Sequence, residues 1–245
     1  MLKKPLLLAL ILLLAVLAVV YFRSRGELIE VPYNLTCGIS YTSETTIVSS
    51  VLGRSATFRI LVRRLVLEEL ADSYLVNITV TGIFRGESRT QWAIVEVSKV
   101  NGSVISVREG NESIKEALSG IYNIRRSIPH ELRLGKKWSS PVNTTIGEST
   151  RMEGTVTYKP IEVVVCETDA GTFRAVNISV ELDLEVITTV GGRTARLPLE
   201  GVGFICVDLD LGLPVLTKLS LESTTQGFPV KYRIETRLVE IKVHA

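Results

Sequence analysis

Residues 174–187 alternate between apolar and polar side chains, and this period of two constrains the fold more than any other feature of the sequence. Side chains on a β-strand point alternately to the two faces of a sheet, so one face of this strand is predicted to be buried and the other to meet solvent. The buried set is Val176, Ile178, Val180, Leu182, Leu184 and Val186. The solvent-facing set is Asn177, Ser179, Glu181, Asp183 and Glu185.

Turn residues divide most of the remaining chain into strands at hairpin spacing. In the first half, the predicted strands are 56–68, 74–84, 90–99 and 103–109, with an Asn-Gly turn at 101–102. In the second half, they are 155–158, 161–167, 173–188, 194–209, 215–221 and 231–243, with turns at 170–171 and 191–192. Pro198 interrupts one strand and indicates an edge or a bulge. The pattern is typical of a mainly β, antiparallel chain.

One amphipathic helix is predicted over residues 113–128, between the two groups of strands. Ser113 and Glu116 form a capping box, Pro129 ends the segment, and the apolar positions on or near one face are Ile114, Leu118, Ile121, Ile124 and Ile128. A sheet with one apolar face beside a single such helix predicts a curved antiparallel half-barrel wrapped around it. We therefore expect one β-rich domain over 26–245, with halves at about 31–110 and 140–245 joined by this helix.

Residues 1–25 form an apolar segment bracketed by basic residues. An unbroken apolar run from Leu6 to Phe22 spans roughly 26 Å as a helix, which is longer than the apolar core of a signal peptide. We therefore expect an uncleaved, single-pass anchor that places the chain in a lipid bilayer. The alternative is cleavage after Ala18, which would release a secreted domain. Basic residues on both sides of the run leave its orientation open.

Six of the seven asparagines begin an Asn-x-Ser/Thr sequon: Asn34, Asn77, Asn101, Asn111, Asn143 and Asn177. Ser and Thr make up 42 of the 245 residues, so six matches by chance have a probability on the order of 1 in 10,000. The alternative is that β proteins are rich in Ser and Thr and that Asn101-Gly102 is simply a hairpin turn. The high frequency of sequons predicts N-glycosylation at these sites and predicts that residues 26–245 face the outside of the cell.

Charge and motifs argue against several classes of function. The net charge is +2 and the basic pairs are scattered, so we expect no nucleic-acid partner. We find no nucleophile elbow, zinc spacing or phosphate loop, and therefore predict no enzyme, no metal and no cofactor. His130 and His244 are interpreted as surface residues, and Trp92 and Trp138 as packed aromatic residues. The low content of Gln, Met and Cys favours a thermophile.

The acidic residues of the second half raise the question of a cation site. The alternation predicts that Glu181, Asp183 and Glu185 share a face with Asp208 and Asp210 on the adjacent strand. Carboxylate oxygens could hold a hard cation. A solvated acidic face is the interpretation we preferred, because no loop of spaced acidic residues with a Gly is present.

The chain has three cysteines, Cys37, Cys166 and Cys206. Because three is an odd number, at least one is either a free thiol or paired with another chain. Two-residue turns at 170–171 and 191–192 would pair Asn177 with Val164 on one side and with Cys206 on the other. Cys166 and Cys206 would then lie two strands apart, about 9.5 Å, beyond the reach of a disulfide. A bulge or a changed register could still join them. We therefore expected three packed thiols.

Three segments of the second half resemble the LolA-like and LppX-like domains of the cell-envelope lipoprotein-carrier superfamily. They are LGKKW at 134–138, DAGTF at 169–173 and VDLDLGLPV at 207–215. The resemblance implies a curved half-barrel that wraps helices and holds lipid or another apolar ligand. The sequence departs from the family because no lipobox cysteine follows the apolar run, and because Ile205-Cys206 stands where an aromatic residue is expected.

Two functional classes follow from these features. The first is a membrane-anchored, glycosylated binding module for an apolar ligand or an envelope partner protein. The second is a structural cell-surface protein without a small-molecule ligand. An apolar hollow in the sheet would favour the first, and a filled core with an open strand edge would favour the second.

Overall fold

The structure is a computed structural model that describes residues 27–111, 127–146, 149–190, 193–225 and 228–244. These residues are mainly β, and all strand pairs are antiparallel. The strands are β1 (Leu28–Glu30), β2 (Ile39–Val51), β3 (Arg54–Glu69), β4 (Ser73–Phe84), β5 (Glu87–Ser98), β6 (Val104–Gly110), β7 (Glu131–Arg133), β8 (Trp138–Ile146), β9 (Thr150–Thr168), β10 (Gly171–Val190), β11 (Arg193–Asp208), β12 (Pro214–Thr225) and β13 (Phe228–Val243).

Eleven of these strands form one sheet in the order β6-β5-β4-β3-β2-β13-β12-β11-β10-β9-β8, and β1 and β7 form a separate ribbon. The sheet is two meanders that meet where β2 pairs with β13. The predicted apolar anchor lies outside the described residues, as does the helix predicted at 113–128 apart from its last two positions. Within the described ranges, no helix is long and apolar enough to cross a bilayer.

Two long strands, β2 and β8, were missed by the sequence prediction. β2 reads ISYTSETTIVSSV, in which Ser and Thr occupy both parities, so the apolar alternation is weak. β8 contains Pro141, and it lies at the edge of the sheet, where the missing amide hydrogen is tolerated. The segments predicted at 155–158 and 161–167 are one strand, β9, because Pro160 falls beside a register shift and does not end the pairing.

One face of the sheet, here called the apolar face, carries most of the core. Cross-strand pairing places its members on one side: Tyr41, Val76 and Val95 in the first meander, and Val156, Val180 and Leu219 in the second. The alternation predicted for β10 is confirmed, since Val176, Ile178 and Val180 are buried. The ribbon packs Ile29, Val31 and Leu132 against the second meander.

Glycines let neighbouring strands of the second meander approach each other closely. A Cβ added at Gly203 would lie 2.0 Å from the Lys218 carbonyl oxygen and 2.8 Å from the Leu219 Cα atom. One added at Gly154 would lie 2.2 Å from the Asp183 carbonyl oxygen. Strands can approach this closely only where no side chain stands between them. Gly203 and Gly154 therefore mark positions of close backbone packing, and the curvature predicted from the sequence stays a prediction.

The expectation of three packed thiols is wrong, because Cys166 and Cys206 form a disulfide. The β9–β10 turn falls at 169–170 instead of 170–171, so Asn177 pairs with Glu162 and Cys166 pairs with Phe173. The cysteines are still two strands apart, yet their Cα atoms are only 6.8 Å apart. Curling of the sheet shortens the distance, and the register shifts beside Asn177 and Cys206 add to this curl.

Both faces of the second meander are buried near this disulfide. Cys166, Ala175 and Cys206 belong to the core cluster that includes Tyr41, Val76 and Val95, whereas Val176 and Ile205 belong to the other cluster. Ala175 is 0% exposed, and the register places it between the positions opposite the two cysteines. Its methyl group leaves room for the bridge on that face.

Candidate functional site

A partly exposed apolar surface crosses the central strands of the apolar face near the β2–β3 and β4–β5 turns, and we call it the apolar band. It spans four neighbouring strands, β13, β2, β3 and β4. Its members are Tyr232, Ile234, Ile47, Phe58, Ile60 and Phe84. The first five are only partly buried, and Phe84 is 41% exposed. The alternation of each strand directs these side chains to one face, where they leave apolar area in contact with solvent.

The two aromatic rings of the band in the first meander contact each other. Phe58 and Phe84 are directly opposite on β3 and β4, with ring centroids 6.3 Å apart and planes tilted by 52°. Gly82 lies beside them, and a Cβ there would be 3.3 Å from the Phe58 ring. Two rings beside a glycine give an apolar surface that could receive a hydrocarbon chain.

A row of threonines borders the band on the side away from the β2–β3 turn. Thr45, Thr236 and Thr217 are cross-strand neighbours on β2, β13 and β12. The hydroxyl oxygens of Thr45 and Thr236 are 2.9 Å apart and share a hydrogen bond. Thr217 is 1% exposed, and its Oγ1 has no partner within the described part of the chain. A buried hydroxyl without a partner costs free energy, and this one is shielded from solvent.

Arginines flank the band on the side of the β2–β3 and β4–β5 turns. Arg89 shares the apolar face because it pairs with Gly82, and Arg54 shares it because it pairs with Val51. The Arg85 guanidinium lies over the Phe84 ring, 5.2 Å from its centroid. Glu87 is the acidic residue at this end of β5. Apolar and cationic groups are therefore adjacent here.

The opposite face of the second meander carries an acidic groove of about 560 Å³. Its carboxylates are Glu181, Asp183, Glu200 and Glu222. Lys137 lies 3.5 Å from Glu181 and Lys231 lies 2.8 Å from Glu222. Within the described residues, no three acidic, His or Cys side chains are grouped so as to hold a metal ion. The arrangement is an open surface partly neutralised by lysines.

Asp208 lies on the predicted face and strand, but neither it nor Asp210 is a neighbour of the acidic row. Asp183 pairs with Glu200, whereas Asp208 pairs with Ala175 near the other end of the strands, and Asp210 lies in the β11–β12 turn. The register of β10 with β11 is the predicted one, since Asn177 pairs with Cys206. In that register Asp208 shares the face of the acidic row but lies opposite Ala175, away from the row. Asp208 and Asp210 therefore do not join Glu181, Asp183 and Glu185.

Asp208 is a structural residue of the β11–β12 turn. Its carboxylate accepts hydrogen bonds from the backbone amides of Leu211, at 2.7 Å, and Asp210, at 3.2 Å. Burial raises the pKa of Asp208 above its ordinary value, although these backbone hydrogen bonds oppose the shift. Its carboxylate thus holds the backbone of this turn in place.

The six sequon asparagines occupy two kinds of position. Asn34, Asn111 and Asn143 are exposed, and Asn101 is partly buried with its Oδ1 accepting a hydrogen bond from the Ser103 amide at 3.0 Å. Asn77 and Asn177 are also partly buried, and the Oδ1 of each is shielded from solvent without a hydrogen-bond partner. Both lie on the face opposite the apolar face, as the alternation predicted. Both are less exposed than expected from the alternation.

The remaining candidate residues have structural contacts. The Cys37 thiol is exposed and donates to the Leu67 carbonyl oxygen at 3.0 Å. His244 Nε2 and Ser40 Oγ are 2.8 Å apart. Trp138 stacks on Tyr158 with centroids 5.1 Å apart, and burial raises the pKa of the Tyr158 hydroxyl. Trp92 differs from the expected packing, because it is 47% exposed on the face opposite the apolar face.

Comparisons with known proteins give a distant likeness to two solved structures. No protein-family model matches the sequence, and no curated protein sequence matches it. One similar structure is a protein described as exported, with a YmcC-like fold, from Bacteroides fragilis NCTC 9343. It is 10% identical, with a TM-score of 0.40, and the alignment covers 87% of this chain and 99% of that one.

The second similar structure is a protein described as a lipoprotein, from Parabacteroides distasonis ATCC 8503. It is 14% identical, with a TM-score of 0.39, and the alignment again covers 87% of this chain and 99% of the other. Neither is described as a LolA-like or LppX-like protein, so that resemblance stays a prediction. At these TM-scores the likeness does not assign the chain to a family.

Proposed function

We propose that this chain is a membrane-anchored, extracytoplasmic binding module without enzymatic activity, and that the apolar band holds an apolar ligand. The observation that carries the proposal is the band itself. Six large apolar side chains on four adjacent strands share one face of a bent sheet and retain solvent contact. Apolar, concave surfaces with few polar groups are the usual sites of small-molecule binding.

Two features support a location outside the cytoplasm. The first is the concentration of sequons in the sequence. The second is the Cys166–Cys206 disulfide, since disulfides persist mainly in oxidising compartments. The apolar run from Leu6 to Phe22 would anchor the chain in the bilayer as a single-pass segment, and its cleavage would release a secreted form.

The helix predicted at 113–128 is the segment that we expect to border the ligand. The described residues on either side of it lie near opposite edges of the sheet. Asn111 bonds to the Trp92 carbonyl oxygen beside β6, and the Ser127 carbonyl oxygen accepts from Trp138 Nε1 of β8. A half-barrel wrapped around this helix would enclose the apolar band.

The experiment is purification of the full chain from native membranes, followed by lipid extraction and mass spectrometry. We expect a stoichiometric isoprenoid or acyl lipid with the wild type and its loss in Phe58→Ala. Thr57→Ala is the matched control, because Thr57 is the neighbour of Phe58 and points to the other face. Absence of bound lipid from the wild type, or equal lipid in both variants, would reject the apolar band as the site.

A structural cell-surface role is the second candidate, and one observation favours it. In the described part of the chain, β6 pairs only with β5 and β8 only with β9, so both edges of the sheet are open. Ile105 on β6 is 49% exposed. Open edges can pair with further strands. A stoichiometric partner protein in the same preparation, without lipid, would support this candidate over the first.

A further inference from the structure

Two turns at one end of the sheet present large apolar side chains to solvent. Leu52 in the β2–β3 turn is 70% exposed and the preceding Val51 is 38% exposed. Phe84, which precedes the β4–β5 turn, is 41% exposed. Both turns follow strands that run in the same direction, so they lie at the same end of the sheet. We call this end the turn end.

Leu52 is an unusual residue for its position. Leu52 has a φ of 49° and Gly53 a φ of 76°, so both central residues of this two-residue hairpin lie in the left-handed region. Such turns strongly prefer Asn, Asp or Gly, because a larger L-residue is strained there. The exposed Leu52 side chain offsets little of that strain by burial within the protein. Its apolar surface is therefore available for a contact outside the chain.

The turn end is also basic. Arg54 follows the first turn and Arg85 forms the second, and both are exposed, as is Arg89. Arg85 keeps its guanidinium over the Phe84 ring, 5.2 Å from the centroid, so charge and apolar area are presented together. Glu87 is the exposed acidic residue between them. Basic residues around protruding apolar side chains fit the interface of a bilayer that contains anionic lipid.

The direction of the chain at Glu27 agrees with this placement. The Leu134 amide donates to the Glu27 carbonyl oxygen, and the adjacent Gly135 amide donates to the carbonyl oxygen of Pro160, within β9. Further along the chain, the Asn34 amide donates to the Leu211 carbonyl oxygen. Leu211 lies in the β11–β12 turn, at the end of the sheet opposite the turn end. The chain therefore runs away from the turn end as it enters the domain. A membrane segment that precedes Glu27 would accordingly lie on the side of the turn end.

We propose that the turn end docks on an anionic lipid bilayer, with Leu52 and Phe84 at the level of the lipid headgroups and Arg54 and Arg85 against the lipid phosphates. This inference rests on the membrane anchorage proposed above, but not on any ligand of the apolar band. It would hold the sheet upright on the membrane, with its β3–β4 and β11–β12 turns farthest from the lipid.

The test uses the full chain reconstituted in vesicles of phosphatidylcholine and phosphatidylglycerol, part of the lipid being brominated. Leu52→Trp places a fluorophore at the turn end, and Leu67→Trp places one at the other end, where Leu67 is 37% exposed. After subtraction of the wild-type signal from Trp92 and Trp138, we expect the Leu52→Trp emission to be blue-shifted and quenched. The Leu67→Trp emission should be neither. Equal quenching of the two would overturn the proposal.

Two further measurements separate the possible failures. Arg54→Glu with Arg85→Glu, made on Leu52→Trp, should lose quenching, as should vesicles of phosphatidylcholine alone; unchanged quenching would refute the role of anionic lipid. Carbonate extraction tests the anchor independently of docking. If carbonate releases the chain, flotation of the full chain with anionic vesicles tests docking directly, and no flotation would refute it.

Discussion

At the scale of single residues, Cys166, Ala175 and Cys206 show how one small side chain permits a covalent link across a strand. The two cysteines are 40 residues apart in sequence and fix β9 to β11 over β10. Ala175, completely buried between them, could not be enlarged without displacing the bridge. The disulfide therefore depends on the residue that it crosses as well as on the cysteines.

Removing the disulfide should lower the free energy of unfolding. For a loop of 40 residues, the chain-entropy model gives a stabilisation of about 4 kcal/mol. We expect Cys166→Ala with Cys206→Ala to lower the free energy of unfolding in urea by about that amount. Cys37→Ala is the control, and its effect should stay within about 0.5 kcal/mol because the thiol is exposed. A small loss in the double variant would show that the unfolded chain is already restricted in this region.

Asp208 should make stability depend on pH. Burial raises its pKa in the folded state, so the folded protein holds this proton to a higher pH than the unfolded chain does. The contribution of Asp208 to stability is therefore greatest below the unfolded pKa of about 3.9 and declines as the pH rises through the folded pKa. The Asn side chain in Asp208→Asn can still accept the turn amides but does not titrate.

We expect the free energy of unfolding of Asp208→Asn to rise relative to the wild type as the pH is increased from 3 to 7. Urea titrations of both proteins at several pH values measure this difference. A difference that is constant with pH, or that changes in favour of the wild type, would contradict the raised pKa.

At the scale of strands and turns, glycines decide where the sheet can bend. Gly203 and Gly82 both occupy strands with ordinary φ angles, but they face different neighbours. The Cβ of Gly203→Ala would meet backbone atoms of β12 at 2.0 Å, whereas that of Gly82→Ala would meet the movable ring of Phe58 at 3.3 Å. We expect Gly203→Ala to lose about 1–3 kcal/mol of stability and Gly82→Ala less than about 1 kcal/mol, measured by urea denaturation. Similar losses would mean that β12 can shift without cost.

A substitution in the β2–β3 turn can separate the stability of the protein from its contact with the membrane. Asn is favoured over Leu in the left-handed conformation of residue 52. We expect Leu52→Asn to raise the free energy of unfolding by about 0.5–1 kcal/mol and to weaken docking on anionic vesicles. Leu67→Asn, at the opposite end of the sheet, is the control for lost apolar area. If Leu52→Asn gained stability but docked as the wild type does, Leu52 would have no membrane contact.

Some strands could be predicted from the sequence and others could not, and the difference has physical reasons. β10 was predicted almost to its ends because its buried face is an unbroken alternate row of Val, Ile and Leu. β2 was missed because its Ser and Thr side chains lie on both faces, and Thr45 is buried despite being polar. A one-residue error in the β9–β10 turn then moved the pairing by two residues, which misplaced Cys166. The apolar band could not be predicted, because it forms from four strands whose neighbours the sequence does not specify.

At the scale of the whole molecule, the two meanders offer the six sequons different access. Asn34, Asn111 and Asn143 are exposed, whereas Asn77 and Asn177 have a shielded Oδ1 in the middle of β4 and β10. If the domain folds before modification, we expect glycans at the first three and low occupancy at the other two. Glycopeptide mass spectrometry of the native protein measures the occupancy of each site. Unmodified peptides at all six would refute an extracytoplasmic glycoprotein.

Strand β13, which comes after every other strand described here, occupies the middle of the sheet. It pairs with β12 on one side and with β2 on the other, and His244 lies against Ser40, 204 residues earlier. Until β13 is present, the two meanders have no strand to join them, and each keeps an unpaired inner edge. The sheet can therefore close only after β13 has been synthesised, and a chain truncated before β13 would expose two unpaired edges that can associate with other chains.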